Sequence, residues 1–173
     1  MLGNTLFVSN NVTGTVGAYD ATTGAAINAY FITGLDGPTG LAVKGNTRFV
    51  ANFDTATVGA YDATTGAAIN ANFITGLDGP EGLAVSGKTL FVGSVFLNTV
   101  GEYDATTGSA INPGFITGLN APMAVALLGN TLFVATIFDG TVGEYDATTG
   151  TAIDASFITG LNHPQGIAVK SAK

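Results

Sequence analysis

The chain has 173 residues, of which 46% are apolar and 10% charged, with a net charge of −7. Enough apolar surface to bury a core excludes a disordered segment. The acidic balance excludes nucleic acid and anionic membrane surfaces as partners. No cysteine is present, so disulfides and thiolate metal sites are excluded. The longest apolar run, Met123 to Leu128, falls far short of the roughly 20 residues a membrane-spanning helix needs.

The first element in the chain is Thr5-Leu-Phe-Val8, apolar on successive residues and read as a short strand packed on both faces. Gly14 to Tyr19 (GTVGAY) is a second strand, Ala26 to Thr33 (AINAYFIT) a third, and Thr39 to Val43 (TGLAV) a fourth. Turn residues separate them: Asn-Val-Thr-Gly, Asp-Ala-Thr-Thr-Gly, Asp-Gly-Pro and Lys-Gly-Asn. No stretch carries the helical spacing of apolar residues over 11 positions.

The same four elements then recur with a 42-residue period. The units span residues 3–44, 45–86, 87–128 and 129–170, without insertion or deletion. The hexapeptide Tyr-Asp-Ala-Thr-Thr-Gly closes the Thr-Val-Gly-x-Tyr strand, the third of a blade counted from the inside, at Tyr19, Tyr61, Tyr103 and Tyr145. Four short strands in about 42 residues are the signature of a β-propeller blade, a small sheet that buries its faces only against neighbouring blades. The fold class expected is all-β, one propeller or half-propeller over residues 1–173.

Within a blade, the small apolar Pro-x-Gly-Leu-Ala-Val stretch suits the crowded innermost strand. The Leu-Phe-Val and Thr-Val-Gly-x-Tyr strands follow outward, and the Ile-Asn-Ala-x-Phe stretch is outermost. Pro113, where other units have Ala29, Ala71 and Ala155, fits an edge strand and no other. In Tyr-Asp-Ala-Thr-Thr-Gly the aspartate is expected to accept backbone N–H groups of a tight turn, the glycine to adopt a positive φ, and the tyrosine to fill space between blades. A calcium site there would need six to eight converging oxygens, and the turn offers one carboxylate.

These motifs resemble blades of NHL-type and quinoprotein-like propellers. They are most similar to the repeat arrays of bacterial exported proteins with a PEP-CTERM sorting tail. The resemblance covers Gly3 to Lys170. It implies ligand or partner binding through the ring surface and an extracytoplasmic location; some relatives are lactonases or quinone enzymes. The arginine that NHL repeats place before the third strand is absent, with Thr15, Thr57, Thr99 and Thr141 preceding the valine. The basic RNA-binding face of some NHL proteins is absent as well. No sorting tail follows Lys173, which leaves two readings open, a fragment or an engineered chain.

The chain begins with the second strand of a blade and ends with the first, Gln165 to Val169. The last strand must therefore complete the first three, a closure that removes open sheet edges. Closure within one chain gives a four-bladed monomer; closure between two gives an eight-bladed homodimer. Small Gly, Ala and Thr side chains favour near-parallel blades, and hence the dimer.

The units differ in two places. One is the loop after the second strand: Ser9 to Gly14, Ala51 to Ala56, Gly93 to Asn98 and Ala135 to Gly140. The other flanks the repeat proline: Gly37 and Thr39, Gly79 and Glu81, Ala121 and Met123, His163 and Gln165. Both are expected on one face of the ring, with the constant turns on the other. The reading is a non-catalytic scaffold that presents this variable face to a protein, small-molecule or carbohydrate ligand. Phe53, Phe96, Ile137 and Phe138 supply apolar anchors, and Glu81, Met123, His163 and Gln165 ring the channel mouth. The alternative is a lactonase-like hydrolase with a metal in the channel, to which Glu81 would contribute. His163 is the sole histidine, no nucleophile elbow or phosphate loop exists, and no catalytic constellation, cofactor or metal site is expected.

Overall fold

The computed structural model describes residues 4–170. Among the described residues fifteen strands run in chain order: β1 Thr5–Asn10, β2 Thr15–Asp20, β3 Ala26–Ile32, β4 Pro38–Lys44, β5 Thr47–Asn52, β6 Thr57–Asp62, β7 Ala68–Ile74, β8 Pro80–Ser86, β9 Thr89–Ser94, β10 Thr99–Asp104, β11 Ala110–Ile116, β12 Pro122–Leu128, β13 Thr131–Thr136, β14 Thr141–Asp146 and β15 Ala152–Ile158. No helix occurs among the described residues. The strands form four antiparallel sheets in strict chain order, β1-β2-β3, β4-β5-β6-β7, β8-β9-β10-β11 and β12-β13-β14-β15. Each sheet is one blade of a propeller-like repeat fold.

The innermost strands β4, β8 and β12 pack against one another in sequence, and β1 lies beside β4. Between blades, three seams repeat one recipe. At the seam of the second and third blades, Phe49, Val58, Ile74 and Leu77 meet Leu83, Leu90, Val92 and Tyr103. At the next, Phe91, Val100, Phe115, Ile116 and Leu119 meet Val125, Leu132, Val134 and Tyr145. Phe49 and Val50 are both fully buried, as are Leu90 and Phe91, so the second strand of a blade is packed on both faces. At roughly 25 cal/mol per Å² of apolar area, such seams are the main source of stability, since an isolated three- or four-stranded sheet leaves both faces in water.

Outer strands lie at sheet edges. Pro113 sits in β11, at the edge of its sheet beside β10, where a missing N–H breaks no ladder. The polar residue of each outer strand also has a local task. Asn28 Oδ1 accepts the Tyr30 N–H at 3.0 Å, and Asn70, Asn112 and Asp154 do the same two residues ahead. These bonds accompany the register shifts between β2 and β3 and their counterparts, and bend the outer edge.

Closure within one chain is not formed. The first blade has three strands, and Gln165–Val169, expected to be its fourth, is unpaired. Ile167 instead packs on Ala124, Ala135, Val142 and Phe133 of the fourth blade. The physical reason lies in the order of neighbours: β1 lies beside β4, β4 beside β8 and β8 beside β12, and bulky Phe, Ile and Leu side chains fill the seams that hold consecutive blades face to face. Four of them make an arc whose two ends do not meet.

Candidate functional site

The two faces of the arc are built differently. On one face, the turn after each third strand is tied to the turn before each second strand. Ala21 N–H donates to the Asn4 carbonyl, Ala63 to Asn46, Ala105 to Lys88 and Ala147 to Asn130, at 2.7–2.8 Å. Asp62 Oδ1 accepts the N–H groups of Thr64 and Thr65 at 2.9 and 2.7 Å, and the Thr65 hydroxyl at 3.0 Å. Asp20, Asp104 and Asp146 bind in the same way. These backbone donors hold all four carboxyls below their usual range. The repeated hexapeptide is thus a turn whose carboxylate is consumed by its own backbone.

Two further roles of that hexapeptide emerge only in three dimensions. The Tyr61 ring folds back over Gly59, where a Cβ would stand 2.5 Å from the ring. Gly66, at φ +76°, lets the turn approach the preceding blade so closely that a Cβ would meet the Phe31 carbonyl oxygen at 2.1 Å.

On the other face, the variable segments are laced together. Phe53 N–H donates to the Gly37 carbonyl at 2.9 Å, Val95 to Gly79 at 2.9 Å and Ile137 to Ala121 at 3.1 Å. The loop after each second strand and the turn before each repeat proline are therefore side by side. Phe53 and Phe96 meet edge to face, 5.6 Å between centroids, over Gly79. Phe96 is 61% exposed and Phe138 68%; Ile137 is half-buried and His163 exposed. His163 Nδ1 lies 2.8 Å from Asn162 Oδ1.

Backbone strain is confined to this same face. Every non-glycine residue with left-handed φ among the described ones lies here: Ala56, Asn98, Ala121 and His163, at +50 to +58°. Gly14 and Gly140 hold the position of Ala56 and Asn98 in the other units, and Gly37 and Gly79 that of Ala121 and His163. Comparing the four copies at these positions would have revealed the strain in the sequence itself.

A central groove of about 450 Å³ runs along the innermost strands. Thr39, Glu81, Met123 and Gln165 line it, together with Ser9 and Asn11 from the first blade. It gathers Glu81, Met123 and Gln165 but neither His163 nor the phenylalanines. Among the described residues no three acidic or histidine side chains converge. Burial pushes the Glu81 carboxyl up from its ordinary 4.5 to about 7, and a hydrogen bond from the Thr39 side chain offsets only part of this. A carboxyl raised on folding favours the folded state most when protonated. Its contribution is complete below about pH 4.5 and is lost as pH rises through about 7. Relative to Glu81→Gln, the wild type is expected to lose about 1–2 kcal/mol between pH 5 and 8, residual solvation screening the rest. Urea titrations of both proteins across that range measure it.

No family model and no curated protein matches the chain. Among solved structures it is similar to the computationally designed Ika8 protein, at TM-score 0.65 and 21% identity over 88% of this chain and 46% of that one. It is similar to hydrazine synthase of Kuenenia stuttgartiensis, at TM-score 0.75 and 24% identity over 91% and 47%. The designed Ika4 protein matches at TM-score 0.59 and 20% identity over 84% and 87%. The chain spans about half the length of the first two. At these identities the likeness shows the fold alone. Fold and repeat together define an all-β, propeller-like repeat protein.

Proposed function

We propose that the chain is a non-catalytic propeller scaffold that binds a ligand through its variable loop face. The observation that supports this most is the distribution of strain. A non-glycine residue in left-handed backbone costs on the order of 1 kcal/mol, and such costs persist where something other than stability is served. The constant face keeps glycine at Gly24, Gly66, Gly108 and Gly150, while the variable face accepts the cost four times. Exposed Phe96, Leu97 and Phe138 give that face apolar anchors of the kind that dominate binding energy. The hydrolase alternative rests on Glu81 alone.

Panning the chain against a random-peptide phage library tests the reading. Selected peptides are expected to lose binding to a Phe96→Ala/Phe138→Ala variant by at least tenfold. Stability should shift by no more than about 0.5 kcal/mol at Phe138, whose ring is solvated, and by about 1 kcal/mol at Phe96, which also loses its edge-to-face contact with Phe53. Peptides that bind the variant with unchanged affinity would place recognition elsewhere.

A further inference from the structure

The two ends of the arc are complementary, and we infer that a second copy of the chain closes the ring by reciprocal strand exchange. This rests on the ends themselves and not on the loop-face reading. The first blade exposes the residues that every other blade buries against its predecessor. Leu6 is 54% exposed, whereas Leu90 and Leu132 at the same position are fully buried; Val8 is 38% exposed, whereas Val50, Val92 and Val134 are fully buried. The fourth blade exposes what every other blade buries against its successor. Ile158 is 43% exposed, against 3–4% for Ile32, Ile74 and Ile116. Phe157 and Leu161 are exposed with it.

Backbone at each end is shaped for an absent neighbour. Gly66, Gly108 and Gly150 each accept a phenylalanine carbonyl of the preceding blade, and Gly24 has nothing within 4 Å. Gly40 and Gly82 each accept the innermost strand of the following blade, and Gly166 has nothing within 4 Å. The first blade also lacks an innermost strand, while Gln165–Val169 is a strand sequence without a sheet, already seated on the fourth blade through Ile167.

Complementary but non-identical ends make a head-to-tail contact, which closes only if the rotation completes a circle. Propellers span typically four to eight blades. Two copies of this arc give eight blades; three exceed the range. In the closed ring, the exchanged strand takes the register of its internal counterparts, in which Leu41 faces Val50, Ala42 faces Phe49 and Val43 faces Arg48. Ile167 then faces Val8 of the second copy, Ala168 faces its Phe7 and Val169 its Leu6. The central groove, open along one side in the single arc, becomes a channel with two Glu81 carboxyls, one from each copy.

Cysteine trapping tests this in a chain that has no cysteine of its own. Leu6→Cys with Val169→Cys places the pair at the register of Val43 and Arg48, one step in from a two-residue turn. That is a non-hydrogen-bonded pair, with Cα atoms about 4.5 Å apart. Under oxidation the proposal requires a covalent species of twice 17.3 kDa with no free thiol. An oxidised monomer without free thiols means closure within one chain and overturns it. A ladder of larger species overturns it in favour of an open filament, and free thiols overturn the strand pairing. Hydrogen exchange of the wild type needs no substitution. Amides of β1 are expected to be protected as well as those of β5 and to lose that protection on dilution; unprotected β1 amides at high concentration contradict the exchange.

Discussion

Phe91→Ala is expected to destabilise the protein by about 3–5 kcal/mol, the cost of truncating a fully buried aromatic ring. Phe91 is 1% exposed, its ring lies 5.5 Å from that of Phe115, and it packs within the seam formed by Val100, Leu132, Val134 and Tyr145. The truncation opens a cavity between two blades, and neither sheet can collapse to fill it while its strands stay in register. In a protein of this size, 1 kcal/mol corresponds to about 2–4 °C of melting temperature, so the midpoint should fall by roughly 10 °C or more. Phe133→Ala is the informative companion. Phe133 occupies the same place in the repeat but faces the end of the arc, half-buried and 5.9 Å from Phe157. In a dilute monomer its truncation should cost less than that of Phe91; in a closed ring the two should cost the same. Thermal melts of both variants at two protein concentrations make the comparison.

Arg48→Leu is expected to do the opposite and stabilise the chain by about 1–3 kcal/mol. Arg48 is fully buried, and among the described residues no carboxylate pairs with it and Nε and Nη1 have no hydrogen-bond partner. Its hydrogen bond from Nη2 to the Ala63 carbonyl is long at 3.5 Å. The guanidinium is held over the Phe7 ring, 3.4 Å from the centroid, with the Phe31 ring at 5.0 Å, and burial lowers its pKa. A desolvated cation–π contact recovers about 2 kcal/mol or more, against several kcal/mol for taking an ion out of water. Leu90 and Leu132 hold the corresponding place against Phe49–Phe73 and Phe91–Phe115, so the seam already accepts leucine without rearrangement. Chemical denaturation of the variant and the wild type at one pH measures the difference. A loss of stability would mean that the aromatic pair depends on the charge above it.

Much of the architecture was written in short-range pattern. The four strands of a unit, their turns and their order follow from β-branched runs bounded by Gly, Asn, Asp and Pro, because turn chemistry is local. Pro113 fixed the outer edge for the same reason. The aspartate turn was legible, since a carboxylate followed by two threonines and a glycine has few other conformations available. The common face of the variable loops was legible from strand order alone, and the hydrogen bonds of Phe53 to Gly37 and Val95 to Gly79 bear that placement out. What those loops bind was not, because apolar anchors such as Phe96 and Phe138 specify no chemistry by themselves.

Other features depend on distances the sequence does not carry. Tyr61 over Gly59 and Gly66 against Phe31 are packing relations across a strand and across a seam. In sequence, Arg48 is a polar variant of a leucine position; only the seam shows that it is sealed from water. Whether Gln165–Val169 reaches β1 of its own chain depends on the angle between blades accumulated over three seams, a quantity that no single residue encodes.

The claim on which the account rests is that these blades form an arc completed by its twin, and the molar mass of the unmodified chain tests it most directly. Light scattering on the purified protein at micromolar concentration should return a single species of twice 17.3 kDa. A species of 17.3 kDa that keeps a β-sheet spectrum, at concentrations up to the solubility limit, would contradict it.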